Sequence, residues 1–196
     1  MIALLREANA ALGGVAKMLA FRPGWKQSFD VSADGVVRSF AAALLAAPAF
    51  ALLVASANHF IAENPAIQAQ APDAGFTLAE AIAQYVRLWV VFPVSAYVIC
   101  RVMNLGAAFG PWLVVHNWTV LGLILIQTFF YALYAAGLAD GGSLGAVLAL
   151  YQLARLYVHW RVAHGALDVG PAAAAGAAGA PIVVDLISTT LIDRLI

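Results

Sequence analysis

Arg155 lies near the middle of an otherwise apolar stretch, Ser143–Ala163, which also holds Gln152, His159 and Arg161. On a helix Gln152, Arg155 and His159 stand at i, i+3 and i+7, within about 60° of one another. A guanidinium in such a setting must face protein or water rather than hydrocarbon, and it calls for a counter-charge. Asp185, in the middle of the next apolar stretch, is the nearest carboxylate in sequence. The connection between the two stretches is short, which makes their helices antiparallel neighbours. Asp185 lies about five residues further from that connection than Arg155, about 7 Å of depth, which an arginine side chain spans. Arg87 is the other candidate partner. It shares a helix face with Glu80 and Gln84 and falls within about three residues of the depth of Asp185. Adjacency favours Arg155, the first choice here, and depth favours Arg87. Two chemistries suit the set Arg155, Asp185, Arg87, His159 and Gln152. One is a polar pathway or binding pocket inside the membrane. The other is an ion pair that fixes helix register and binds nothing.

Other constellations carry less. Gly141-Gly142-Ser143-Leu144-Gly145 matches the letters of the hydrolase elbow G-x-S-x-G, but that elbow joins a strand to a helix and needs a histidine partner. Ser143 opens a helix after a glycine turn, with His159 and His164 several turns further along the same helix. His116 opens another apolar stretch at the opposite end, and His59 falls in a loop. A serine capping its helix is the expectation, and an intramembrane hydrolase is disfavoured. The four histidines form no metal set: His159 and His164 are five apart, on different faces, and no HExxH occurs. The lone Cys100 excludes an internal disulfide and a cysteine-based metal site. No phosphate loop or dinucleotide fingerprint is present. No catalytic residue, metal or cofactor is therefore expected.

The elements that must carry these residues follow from composition. Of 196 residues, 64% are hydrophobic and 10% charged, against about 25% charged in a soluble domain. The mean hydropathy is +0.89. A water-soluble globular domain and a disordered chain are both excluded. Ten basic and ten acidic residues cancel, so nucleic acid is not an expected partner. What remains is an all-α membrane protein, read as a five-helix bundle with an N-terminal amphipathic helix.

Residues 1–29 read as a cytoplasmic amphipathic helix and an interfacial linker. Leu5, Ala8, Leu12, Val15 and Leu19 share one face, and Arg6 and Lys17 another, which suits a helix lying in the headgroup plane. The same periodicity also suits a short helix packed on a bundle. Phe21–Phe29, with Trp25 and Lys26, follows as an aromatic and basic linker. Residues 30–196 read as one domain with spans at about 36–57, 78–103, 111–136, 143–163 and 171–192. Ser32 or Asp34 is placed to cap the first. Pro48, Pro93 and Pro181 fall at mid-span, as in broken transporter helices or in ordinary spans whose neighbours satisfy the backbone. The fifth span is alanine-rich and holds Asp185, whose insertion costs roughly 2.5–3.5 kcal/mol. Trp118, in His116-Asn117-Trp118, suits an interfacial belt. His116 and Gln127 share a face and read as hydrogen-bonding groups between helices. Ala172, Gly176 and Ala180 form a small-residue ridge, for packing within the chain or for a seam with a second copy.

Arg6, Lys17, Arg22, Lys26 and Arg38 precede the first span, and Arg101 and Arg161 fall on the same side. The other side has Glu63, Asp73 and Asp140, with Arg194 alone at the end of the chain. The positive-inside rule puts the N-terminus in the cytoplasm and the C-terminus outside, in agreement with five spans.

The segment Phe29-Asp30-Val31-Ser32-Ala33-Asp34-Gly35-Val36-Val37-Arg38-Ser39-Phe40, followed by a span with Pro48, resembles a type of small uncharacterised bacterial inner-membrane protein. His116-Asn117-Trp118 and Val184-Asp185-Leu186 are similar too. The five-span layout also resembles the Yip-domain (Ypt-interacting protein) superfamily. Eukaryotic members carry Asp-Leu-x-Gly-Pro ahead of their spans, whereas here only Phe109-Gly110-Pro111-Trp112 is similar, at another place and without the Asp-Leu pair. The resemblance implies an architecture and an inner-membrane setting, and transfers no catalytic residue. The expected role is that of a non-enzymatic accessory, scaffold or interaction protein. The alternative is a small transporter or ion-conducting protein built on the Arg/His/Asp cluster. The lipid bilayer is the expected partner, with another membrane protein or a second copy of the chain as open choices.

Overall fold

The computed structural model describes residues 2–71 and 74–195, excepting the side chains of 191–195. Asp73 and the side chain of Arg194, both used above for orientation, lie outside the described residues. Among the described residues all regular structure is helical: α1 (Ile2–Leu19), α2 (Ala33–Ser39), α3 (Ala41–Ala62), α4 (Pro65–Gln70), α5 (Leu78–Val102), α6 (Phe109–Ala135), α7 (Gly141–Leu167) and α8 (Pro171–Leu195), with 3-10 turns at Lys26–Ser28 and Gly106–Ala108. Four segments are long and apolar enough to cross a membrane: Ala33–Ala62, Leu78–Val102, Gly106–Ala135 and Pro171–Thr190. Such helices mark a membrane protein. α7 matches them in length at 27 residues, but Arg155, His159, Arg161 and His164 leave it less apolar.

Local chemistry sets the helix ends. The Ser32 hydroxyl accepts from Gly35 N at 3.1 Å to start α2. Thr77 and Glu80 form a capping box at α5, satisfying two orphan N–H groups at once. Asp140, rather than Ser143, caps α7: its carboxylate accepts from Ser143 N at 2.8 Å and from the Ser143 hydroxyl at 3.1 Å. α3 runs past the expected end of the first span, to Ala62. Asn58 there anchors the following loop by exchanging hydrogen bonds with Phe76 N and O at 2.8 and 2.9 Å. None of the three mid-span prolines interrupts its helix.

α6 is the axis of the bundle and packs against α1, α2, α3, α5 and α7. Within its span 67% of residues are buried, against 22–28% in the other three, so even its polar residues must find protein partners. Asn117 Nδ2 donates to the Ser39 hydroxyl at 2.9 Å, fixing the α2–α3 junction on α6. Trp118 is 1% exposed, so it belongs to the core and not to an interfacial belt. Sequence proximity to a helix end could not show that other helices surround this one.

α7 packs on α6 and α8, and α8 in turn on α5. α8 turns Ala174, Ala177 and Ala178 inward and leaves Ala172, Gly176 and Ala180 exposed. The small-residue ridge is therefore not used inside the chain.

α1 lies across α6. One end reaches α2, where Glu7 meets Arg38 at 3.3 Å. The other reaches α7, where Tyr157 Oη donates to Leu19 O at 3.3 Å and Arg161 Nε to Met18 O at 3.1 Å. The buried face is Ala8, Ala11, Gly14, Val15 and Met18, while Leu5 is exposed. That face is turned from the expected one, and Gly14 on it lets the linker close in. A Cβ at Gly14 would stand 2.6 Å from Ser28 Cβ and 2.8 Å from the Phe29 ring.

Candidate functional site

Arg87, Arg155 and Asp185 converge on one cavity of about 410 Å³. Five helices line it. α5 contributes Gln84, Arg87 and Phe92, α6 contributes Trp112, His116 and Gln127, α7 contributes Tyr151, Arg155 and His159, and α8 contributes Pro181 and Asp185. Phe50 and Leu53 of α3 close the remaining wall. One end, at Phe76, is exposed; the other, at Trp112, His116 and Phe92, is buried.

Arg87 and Asp185 make the central contact. Arg87 Nη1 donates to Asp185 Oδ1, and also to the Asp185 backbone carbonyl at 3.2 Å. Its Nε donates to Gln84 Oε1 at 2.6 Å. That carbonyl further accepts from the Ser188 and Thr189 hydroxyls at 2.8 and 3.0 Å. Arg87, Ser188 and Thr189 thus all bond the carbonyl of the residue that presents the carboxylate. The other oxygen, Asp185 Oδ2, stands 4.0 Å from Arg155 Nη2. Arg155 makes no hydrogen bond among the described residues, and its side chain is 31% exposed, toward the cavity. Two guanidiniums thus meet one carboxylate.

One turn along α7, the His159 ring stacks on His116 at 5.4 Å between centroids. His116 lies nearly parallel to Phe92 at 3.2 Å. It is 6% exposed, and its Nδ1 has no hydrogen-bond partner. Buried polar atoms are nearly always paired, so this one is unusual. Tyr151 Oη is satisfied by Leu123 O at 3.2 Å.

Of the residues singled out in the sequence, Arg87, Arg155, Asp185 and His159 share this cavity. Gln152 does not: it is exposed on the far side of α7. The inward stripe runs 151, 155, 159, four residues apart, so Tyr151 occupies the place expected of Gln152. Glu80 is also elsewhere, its carboxylate accepting from Thr77 N at 2.7 Å. The sequence does not mark His116, Gln127, Trp112 and Phe92, which also line the cavity, as site residues. The signal available was that His116 and Gln127 share a face of an otherwise apolar helix. Among the described residues no group of three or more His, Cys, Asp or Glu side chains is placed to hold a metal ion.

No known protein family, no curated protein and no solved structure matches this chain. The functional reading therefore rests on the site.

Proposed function

We propose that the chain is a small polytopic carrier of the bacterial inner membrane that holds a solute in the cavity between α3, α5, α6, α7 and α8. The observation that carries this is a space of about 410 Å³ whose polar lining includes Arg87, Arg155, Asp185 and His159. Small-molecule sites occupy about 300–1,000 Å³ and combine apolar walls with a few convergent polar groups. An ion pair serving only helix register would need no such space.

In this reading α7 crosses the membrane with the other four. It lies between two apolar helices, joined to each by a short connection, and turns Arg155, His159 and Arg161 away from lipid. Leu150 and Leu153, 67% and 65% exposed, face the hydrocarbon. α1 is an interfacial amphipathic helix with Arg6 and Lys17 on its exposed side. The basic residues near α1 and the linker put the N-terminus in the cytoplasm, and the exposed end of the cavity, at Phe76, outside. A Yip-like layout would be shared in architecture alone. The accessory or interaction role is the second reading. It is favoured by the outward ridge Ala172, Gly176 and Ala180, which would admit a partner helix.

Single cysteines in a Cys100→Ser background test the carrier reading. Gln127→Cys and Leu88→Cys line the cavity; Leu150→Cys and Leu153→Cys face outward. A charged, membrane-impermeant thiol reagent added to intact cells is expected to label the first pair and spare the second. Absence of labelling at both cavity positions would mean a dry, closed cluster and would end this reading.

A further inference from the structure

We propose that the cavity selects an organic monoanion, a carboxylate on an aromatic body, seated with its carboxylate on Arg155 and a hydroxyl on His116. This rests on the carrier reading and gives it a substrate class.

Charge comes first. The cavity wall carries two guanidiniums and one carboxylate among the described residues. Asp185 Oδ1 is taken by Arg87. Asp185 Oδ2 is 4.0 Å from Arg155, beyond hydrogen-bond length. Arg155 thus brings its positive charge and its fork of N–H donors to the space without a bonded acceptor. A planar guanidinium matches a carboxylate in a bidentate way, and an ammonium or a neutral group gains nothing comparable from it. Low dielectric around the site strengthens the preference for one negative charge.

The second polar station is His116. Its ring lines the cavity and makes no hydrogen bond among the described residues, although Nδ1 itself is covered. His159, which stacks on it, lies one turn from Arg155, about 6 Å along the helix. A ligand anchored at Arg155 therefore reaches His116 across roughly the length of a small aromatic acid. A hydroxyl suits either tautomer of the imidazole, since it both donates and accepts. Between the stations the wall is Phe92, Trp112, Leu88 and Val91, which favours a flat apolar body that packs edge or face against rings.

The test is calorimetric titration of the purified protein in nanodiscs of zwitterionic lipid. The probes are 3-(4-hydroxyphenyl)propionate, 4-ethylphenol and tyramine: one body with an anionic, neutral or cationic end. The acid is expected to bind, with the phenol weaker by about tenfold or more and the amine not detected. Arg155→Gln is expected to abolish the preference for the acid, while the thermal midpoint moves little because Arg87 keeps Asp185. If that variant does not fold, Arg155→Lys, which keeps charge and loses the fork, is expected to weaken the acid by about tenfold. His116→Phe is expected to erase the advantage of the hydroxylated acid over 3-phenylpropionate and to leave binding of the latter in place. Tyramine binding as tightly as the acid, or acid binding unchanged in Arg155→Gln, would overturn the proposal. With the cavity labelled at Gln127→Cys, acid failing to bind sinks the anion assignment alone. With no labelling and no binding of any probe, the carrier reading falls as well.

Discussion

Arg161 and Arg155 stand six residues apart on α7, and the fold treats them in opposite ways. Arg161 is 9% exposed. Its Nε donates to Met18 O at 3.1 Å and its guanidinium lies 4.5 Å over the Phe21 ring. No carboxylate pairs with it among the described residues. Its counter-charge is the C-terminal turn of α1, whose last carbonyls carry the negative end of the helix dipole. Arg155 faces a cavity, and the carboxylate nearest to it is already bonded to Arg87. One guanidinium is consumed by the fold and the other is held in reserve. Arg161 has both a bonded carbonyl and a ring face, whereas Arg155 has no bonded acceptor among the described residues.

The comparison is sharpest where a charge is removed. Asp185→Ala is expected to cost the most, about 3–5 kcal/mol, because it strands Arg87 without its acceptor in the interior. Adding Arg87→Ala is expected to restore part of that loss, read as the thermal midpoint in nanodiscs. A double variant no more stable than the single one would break the pair. Arg161→Ala comes next, at about 2–4 kcal/mol, from one charge-assisted hydrogen bond and one cation–π contact. Its signature is local: protease cleavage within the linker 20–32 should rise before the bundle melts. A uniform loss of stability would mean that Arg161 does not act through α1. Arg155→Ala is expected to cost less than about 1 kcal/mol, in line with a loose, half-solvated pair. An effect as large as that of Asp185→Ala would place Arg155 with Arg161, among the arginines that hold the fold.

Sequence alone would have assigned the large penalty to Arg155, since Asp185 follows it across a short loop. Depth along the helices pointed to Arg87, but nothing in the sequence says that α5 and α8, 98 residues apart at this contact, are neighbours. Helix positions were legible because apolar runs end at turns and caps: 78–103 against Leu78–Val102, and 111–136 against Phe109–Ala135. The partners of α6 were not, because a helix that is apolar on every side gives no face to read. For that reason position in the sequence points Trp118 to the interface and gives His116 no place at a cavity. Gln152 failed for another reason. A stripe drawn at i, i+3, i+7 and one at i, i+4, i+8 differ by a fraction of a turn, and only the position of α6 and α8 decides between Gln152 and Tyr151. The orphaned His116 Nδ1 and the space beside Arg155 are properties of packing, with no trace in composition or spacing.

The two ends of α1 give the finest version of the same comparison. The Arg161 end is buried and bound to carbonyls, which do not titrate. The Glu7–Arg38 end is exposed and runs through Asp30, whose carboxylate bonds Arg38 and accepts from Ser32 N at 3.0 Å. Hydrogen bonding from Ser32, first from its side chain and then from its backbone, with Arg38 adding, holds the Asp30 carboxyl below its ordinary value of 3.8. A carboxylate lowered in the folded state contributes stability that is fully present above its unfolded value and is lost as pH falls through the folded one. Acidification from pH 7 to about 3 should therefore loosen the Glu7 end of α1 while the Met18 end stays docked. Hydrogen exchange, corrected for its own dependence on pH, would resolve residues 3–10 from residues 14–19. Asp30→Asn should remove most of the difference between the two pH values. Equal loosening at both ends would mean that α1 leaves the bundle as a unit, and that Arg161 holds it no more firmly than a surface ion pair does.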